Sequence, residues 1–283
     1  MFTPRNFHAV LFIRRAIMPT PIFLTCRQRI LHEKAAELAE KLRIPLLNGW
    51  DVAEKQGILL ILAEDGLSLR CLGDSLGDSL GGKMRPLRVD FTSGKNAFRL
   101  VENRTIRQPL ARAVGIGHSL RPTIFDATAG FGADAFVFAS LGCQVTMAER
   151  APLVFALLED GLDRAGKHGQ SAAIVARMRL LPGDAKDILP ALSPPPDCVY
   201  LDPMYPEKKN SALPGKGMRI LRQLVGGDDD SAELFGVAQR TAARRVVVKR
   251  PKGAPWLTAA KPSHAIAMPN SRFDVYLRPV SMA

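Results

Sequence analysis

Cysteine is scarce and dispersed in this sequence. Cys26, Cys71, Cys143 and Cys198 are the four among 283 residues, and no Cys-x-x-Cys pair or Cys/His cluster occurs. A disulfide scaffold is excluded, and the spacing argues against structural zinc or any other metal site. Cys143 and Cys198 lie inside apolar runs and read as small buried hydrophobes, which fits a reducing cytoplasm. Long apolar runs are missing too, because no segment reaches the ~18–20 residues of a membrane span. Phe7 to Ile13 is apolar, but Arg14 and Arg15 follow it, which reverses the order of a signal peptide. Residues 1–17 are therefore expected to form a loose basic extension, with Met18 as an alternative start.

Acidic residues are in deficit. Asp and Glu number 27 against 39 Lys and Arg, a formal net charge of +12. The excess is local. Residues 83–112 hold eight basic residues (Lys83, Arg85, Arg88, Lys95, Arg99, Arg104, Arg107, Arg112) against Asp90 and Glu102. A second cluster, Lys208, Lys209, Lys216, Arg219 and Arg222, has no acid between its ends. Patches of this kind point to nucleic acid, although charge alone leaves a merely solvated surface equally open.

What is present is an ordinary globular composition long enough to bury a core. Residues 18–90 read as a small α/β subdomain. Apolar positions 31, 35, 38 and 42 predict a helix over Ile30–Leu42. Gly57–Leu62 and Leu67–Leu72 predict a hairpin across Glu-Asp-Gly, and Leu87–Phe91 a third strand. Between them, Leu72 to Gly82 repeats Leu-Gly-Asp-Ser and reads as a loop or insertion. An arginine-rich helix is expected over Leu100–Val114.

Residues 91–283 form the second predicted unit. From residue 123 onward, apolar runs alternate with helical stretches. Strands are expected at 123–129, 144–149, 178–182, 199–202 and 245–249, and helices at 134–141, 152–167 and 232–243. Apolar strands separated by helices imply a parallel sheet covered on both faces. His264–Met268 and Phe273–Leu277 are joined too closely for a crossover helix and should pair antiparallel.

Chemistry gathers at the predicted carboxyl ends of these strands. Asp126-Ala-Thr-Ala-Gly130-Phe-Gly132-Ala133-Asp134 is a glycine-rich turn between strand and helix, where a ligand can approach the backbone. Glu149 ends the next strand, placed to accept from ribose hydroxyls. The run Gly130-x-Gly132-x-x-Ala135 also fits a dinucleotide fingerprint. Asp126 and Asp134 argue against that, because carboxylates at a helix N-terminus compete with a pyrophosphate for its positive end. They suit a cationic ligand such as S-adenosylmethionine. Asp184, after the third strand, reads equally well as an acceptor for an adenine amine or as an N-cap for the helix that follows.

The fourth strand ends in Tyr200-Leu-Asp202-Pro203-Met204-Tyr205-Pro206, the most specific signal in the chain. It resembles the Asp/Asn-Pro-Pro-Tyr/Phe turn of methyltransferases acting on exocyclic base nitrogens. There, Asp202 would accept the amine proton, the Pro203 carbonyl would hold the second N–H and Tyr205 would stack the base. Lys249 and Arg250 end a strand at the same edge and are expected to face RNA, together with Lys208 to Arg222.

These motifs, with Leu141-Gly-Cys-Gln-Val, Glu149-Arg150, Lys208-Lys-x-Ser211-Ala-Leu and Val246-Val-Val-Lys-Arg-Pro251, resemble the bacterial small-subunit ribosomal RNA guanine-N2 methyltransferase J family over roughly residues 85–280. The resemblance implies a Rossmann-like class I methyltransferase fold, with a mostly parallel seven-stranded sheet and an antiparallel last strand. It implies methyl transfer from S-adenosyl-L-methionine to N2 of one guanosine in 16S rRNA, free or within the small ribosomal subunit. It also implies that Ala133, Asp134, Glu149, Arg150, Asp184, Ala185 and Asp202 line the cofactor site. The family commonly has Arg in place of Ala133, Ser-Ser in place of Asp184-Ala185 and Phe in place of Tyr205. The competing readings are an NAD(P)-dependent oxidoreductase and a non-catalytic RNA-binding protein of methyltransferase fold.

Overall fold

A computed structural model describes residues 21–48, 56–72, 86–93, 105–205, 222, 224 and 227–278. The basic extension at 1–17 and the Leu-Gly-Asp-Ser repeat lie outside the described residues.

The N-terminal part is a four-stranded sheet in the order β2-β1-β3-β4. Its strands are β1 (Ile22–Cys26), β2 (Leu46–Asn48), β3 (Gly57–Ala63) and β4 (Gly66–Leu72), with helix α1 (His32–Leu42) crossing between β1 and β2. β1 runs parallel to β2 and β3, and β3 and β4 form the expected hairpin. Two strands, β1 and β2, were not foreseen. β2 has three residues, too few for a period to show.

The expected third strand at Leu87–Phe91 is corrected to a single bridge, Leu87 to Leu69. Beyond it the backbone leaves the sheet and the Val89 carbonyl accepts from Arg164 instead. Val89 and Phe91 then enter the core, where Phe91 stacks on Phe136 at 4.7 Å. Gly161 makes room for this: a Cβ there would meet Val89 Cγ1 at 2.7 Å. The expected helix over Leu100–Val114 shortens, within the described residues, to α2 (Pro109–Val114). Pro109 takes the first helical position and holds Gln108 extended (ψ 145°), so no helix runs through it.

The second sheet has seven strands in the order β10-β11-β9-β8-β5-β6-β7. These are β5 (Ile124–Asp126), β6 (Val145–Glu149), β7 (Met178–Pro182), β8 (Cys198–Leu201), β9 (Arg245–Pro251), β10 (His264–Ala267) and β11 (Ser271–Leu277). Only β11 is reversed, pairing antiparallel with β9 and β10. Its helices are α3 (Ala133–Ser140), α4 (Pro152–Ala165), α5 (Gly169–Val175), α6 (Ala185–Ile188) and α7 (Ser231–Thr241). Val246, Val247 and Val248 are all fully buried, as strands covered on both faces require. Helix α4 also packs on β4, so the two sheets share one apolar core.

β5 and β8 are neighbours, yet the chain leaves β5 toward β6 on one side and returns to β8 on the other. A crevice opens at the carboxyl ends of strands at such a switch point.

Candidate active site

That crevice is a cavity of about 820 Å³. The turn after β5 forms its floor. Gly130 and Gly132 adopt positive φ (54° and 71°), and the Gly130 N–H donates to Glu149 Oε2 at 2.9 Å. Gly132 is fixed by space as well, since a Cβ would meet Leu158 Cδ1 at 2.8 Å. Ala133 and Asp134 follow in the first turn of α3 and line the cavity.

Glu149 is buried, and its Oε1 accepts the Ala151 N–H at 2.7 Å. Each carboxylate oxygen carries two lone pairs, so accepting capacity toward a ribose remains. Burial pushes Glu149 up to about 7. Burial also raises Asp126 to about 8, against the Thr128 N–H bond and with the charges of Asp134 and Asp202 adding to the rise.

The turn after β8 meets the turn after β5 through Thr128, whose hydroxyl accepts the Asp202 N–H at 2.7 Å. Asp202 opens on the cavity, but protein surrounds it, and this burial raises it to about 6. Lys249 Nζ bridges Asp202 Oδ2 (2.8 Å) and Asp134 Oδ2 (2.9 Å). Burial alone would lower Lys249, yet the two carboxylates outweigh it and hold the ammonium charged. Tyr200, buried in β8, also donates to Asp134, at 2.7 Å. Tyr205 donates its hydroxyl to the Lys249 carbonyl at 2.9 Å, and the Arg250 guanidinium lies 4.2 Å from its ring centre.

Lys249 and Arg250 therefore need correction as RNA-facing residues. Arg250 is buried, donating to the Pro255 carbonyl, and Lys249 is committed to carboxylates inside the site. Arg222 lines the cavity, while Lys208, Lys209, Lys216 and Arg219 lie outside the described residues. Asp184 caps α6 by accepting the Lys186 N–H at 2.9 Å, and with Ala185 it lines the cavity.

Arg150 is held by two acids that the sequence reading missed. Its guanidinium pairs with Asp228 at 2.6 Å and Asp230 at 2.8 Å. Asp228 Oδ2 also accepts the Met204 N–H at 2.6 Å, tying the Asp202–Tyr205 turn to the end of β6. The run Gly227-Asp-Asp-Asp230 before a helix was the available signal.

The donor set fits S-adenosylmethionine. Beside α3, Asp126, Asp134 and Asp202 surround Lys249; of the other cations lining the cavity, Arg150 is paired with Asp228 and Asp230, and Arg250 is turned onto the Pro255 carbonyl and the Tyr205 ring, with Arg222 further along the wall. Carboxylates grouped at that helix start favour a cationic ligand and oppose a pyrophosphate there.

A family model described as "Putative SAM-dependent methyltransferase" matches residues 45–278. A "Ribosomal RNA small subunit methyltransferase J" of Desulfotalea psychrophila is 48% identical, over 86% of this chain and 91% of that protein. One from Thioalkalivibrio sulfidiphilus is 47% identical, over 87% and 94%. The crystal structure of a SAM-dependent methyltransferase from Neisseria gonorrhoeae superposes with a TM-score of 0.66 at 32% identity, covering 92% of this chain and 97% of that one. The chain belongs to the ribosomal RNA small subunit methyltransferase J family of SAM-dependent methyltransferases.

Proposed function

We propose that this chain methylates the exocyclic N2 of one guanosine in 16S rRNA, in the bacterial cytoplasm. The observation that carries the reading is the joining of two turns at one cavity: Gly130–Asp134 with its glycines, and Asp202–Tyr205 with its acceptor and ring. S-Adenosylmethionine, when bound, supplies a methyl group already activated by positive sulfur.

The rest is positioning by the chain's own residues. Asp134, joined by Asp126 once a cationic ligand ionises it, sets a negative field for the amino-acid end. Glu149 accepts from the ribose, and Asp184 lies at the adenine end. Asp202 accepts one amine N–H and takes the proton as the nitrogen bonds the methyl, and the Pro203 carbonyl holds the other N–H. The Tyr205 ring, anchored on β9 and backed by Arg250, is a fixed platform for the base. Guanine must be unstacked to reach it. Lys208, Lys209, Lys216, Arg219 and Arg222 follow the catalytic turn in sequence and supply charge for RNA phosphates.

The test is to map tritiated methyl incorporation on rRNA from cells lacking this protein. Label at one guanosine N2, abolished by Asp202→Ala, is expected. Full activity in Asp202→Ala would refute the assigned role, and label on no nucleotide would refute the function.

A further inference from the structure

The far wall of the cavity is made by Gly253, Ala254 and Pro255, directly before Trp256. Trp256 is 42% exposed, although an indole of its size is ordinarily buried in a core. The loop that carries it is rigidly held from beneath. Arg250 donates to the Pro255 carbonyl, with Nη2 at 2.6 Å. Arg272 donates to the carbonyls of Lys252 (2.9 Å) and Ala254 (2.8 Å). Arg272 is in turn clamped on both oxygens by Asp274, which is fully buried. One buried guanidinium, Arg250, and one partly buried one, Arg272, thus spend donors on shaping an exposed loop.

The charged side chains of the segment that carries the indole are of one sign. Residues 252–273 contain Lys252, Lys261, His264 and Arg272 and no Asp or Glu. Lys252 and Lys261 are exposed, and Lys261 Nζ lies 5.7 Å from the Trp256 ring centre. An exposed aromatic on a rigid loop, flanked by cations, is the arrangement that binds single-stranded nucleic acid: the ring stacks a base and the cations meet phosphates.

We propose that Trp256 is a stacking platform for a nucleotide flanking the target guanosine, with Lys252 and Lys261 contacting the adjoining phosphates. The inference rests on the RNA methyltransferase reading above and adds a second contact surface at the rim of its cavity. Stacking there holds the strand splayed while the neighbouring guanine enters the site, so its energy is felt in RNA binding and not in cofactor binding.

Binding of transcribed small-subunit rRNA, its KM in methyl transfer and the S-adenosylmethionine Kd test this in wild type, Trp256→Ala and Trp256→Phe. The Ala variant is expected to lose about tenfold in RNA affinity, mostly as KM, with the cofactor Kd unchanged. The Phe variant is expected to recover most of the loss. Replacing Lys252 and Lys261 together by Ala should flatten the slope of log affinity against log salt by about 1.4. Equal RNA binding by wild type and Trp256→Ala overturns the platform while leaving the methyltransferase reading intact. A wild-type chain that neither binds nor methylates the RNA overturns both. A Trp256→Ala defect seen only on the assembled subunit, with naked rRNA bound normally, assigns the indole to a ribosomal protein and also overturns the proposal.

Discussion

Lys249 Nζ lies 2.8 Å from Asp202 Oδ2 and 2.9 Å from Asp134 Oδ2, so one ammonium joins the turn after β8 to the first turn of α3. In the proposed reaction Asp202 must be ionised to receive a proton, although burial pushes that carboxyl up to about 6. Lys249 is the group that opposes the rise. In the Lys249→Met variant the opposing charge is gone, and Asp202 titrates higher. We expect kcat to fall about a hundredfold at neutral pH. The acid limb of the pH–kcat profile, which reads this carboxyl in the bound complex, should move upward. An acid limb that did not move would show that Lys249 acts elsewhere than on Asp202.

Asp126 provides a second pH-dependent prediction. Its carboxyl is raised to about 8, chiefly by burial, so it is largely protonated at pH 7. A ligand bearing a sulfonium and an ammonium favours the ionised form. Binding of S-adenosylmethionine should therefore release protons near pH 7 and tighten as pH rises from 6 to 8. Glu149, raised to about 7, works in the same direction. Calorimetry in buffers of different ionisation enthalpy reads the released protons directly. S-Adenosylhomocysteine lacks the sulfonium charge and should show a weaker dependence. Equal proton release for the two ligands would contradict the assignment.

The same carboxyl costs stability. Its folded value is raised, so its contribution is fully present below the unfolded value of about 4 and is lost as pH climbs toward 8. Asp126→Asn keeps an acceptor for the Thr128 N–H, now 3.1 Å away, and removes the buried charge. We expect the ligand-free variant to gain about 2 kcal/mol at pH 8 while binding S-adenosylmethionine more weakly. Urea denaturation at pH 5 and pH 8 checks it, because the gain should shrink at pH 5.

Much of this site was legible because its residues sit at strand ends, where an apolar run stops and a Gly, Asp or Pro begins. Asp126, Glu149, Asp184 and Asp202 announce themselves in that way, and all four line the cavity. Lys249 and Arg250 did not, because their surroundings depend on register between strands far apart in sequence. Leu201 pairs with Val248, which puts Lys249 beside Asp202 one residue further on. A basic residue ending a strand looks the same in sequence whether it meets phosphate or carboxylate. Leu87–Phe91 misled for a related reason. Its alternation is real and buries Val89 and Phe91, but the partner is a helix with a glycine, not a strand.

Gly132 joins the cofactor turn to the core. Its φ of 71° is one that residues with a Cβ adopt at a cost, and a Cβ would meet Leu158 Cδ1 at 2.8 Å and Phe91 Cζ at 3.2 Å. Gly132→Ala is expected to destabilise the chain by about 1–3 kcal/mol through strain and overpacking together. Denaturant unfolding reads this without any ligand. Leu158→Ala should relieve part of the loss in the double variant, since it removes the nearer clash. Purely additive losses would mean that the backbone conformation alone carries the cost.

Asp228 supports the final prediction. One of its oxygens accepts the Met204 N–H and the other takes the Arg150 guanidinium, both at 2.6 Å. It therefore fixes the backbone between Pro203 and Tyr205 to the residue that follows Glu149, and acts as a positioning residue. In Asp228→Ala both links are lost, and the turn proposed to hold the amine is no longer tied to the end of β6. A displacement near 1 Å is enough to cost about a hundredfold in rate, so kcat should fall by roughly ten- to a hundredfold. The Kd for S-adenosylmethionine should rise only severalfold, because Asp230 still holds Arg150. Asp228→Asn keeps one acceptor for the Met204 N–H but no charge for Arg150. It should recover most of kcat and little of the cofactor affinity. A purely structural role would lower kcat and affinity together and in proportion to the loss of thermal stability, and the Asn variant would not separate them.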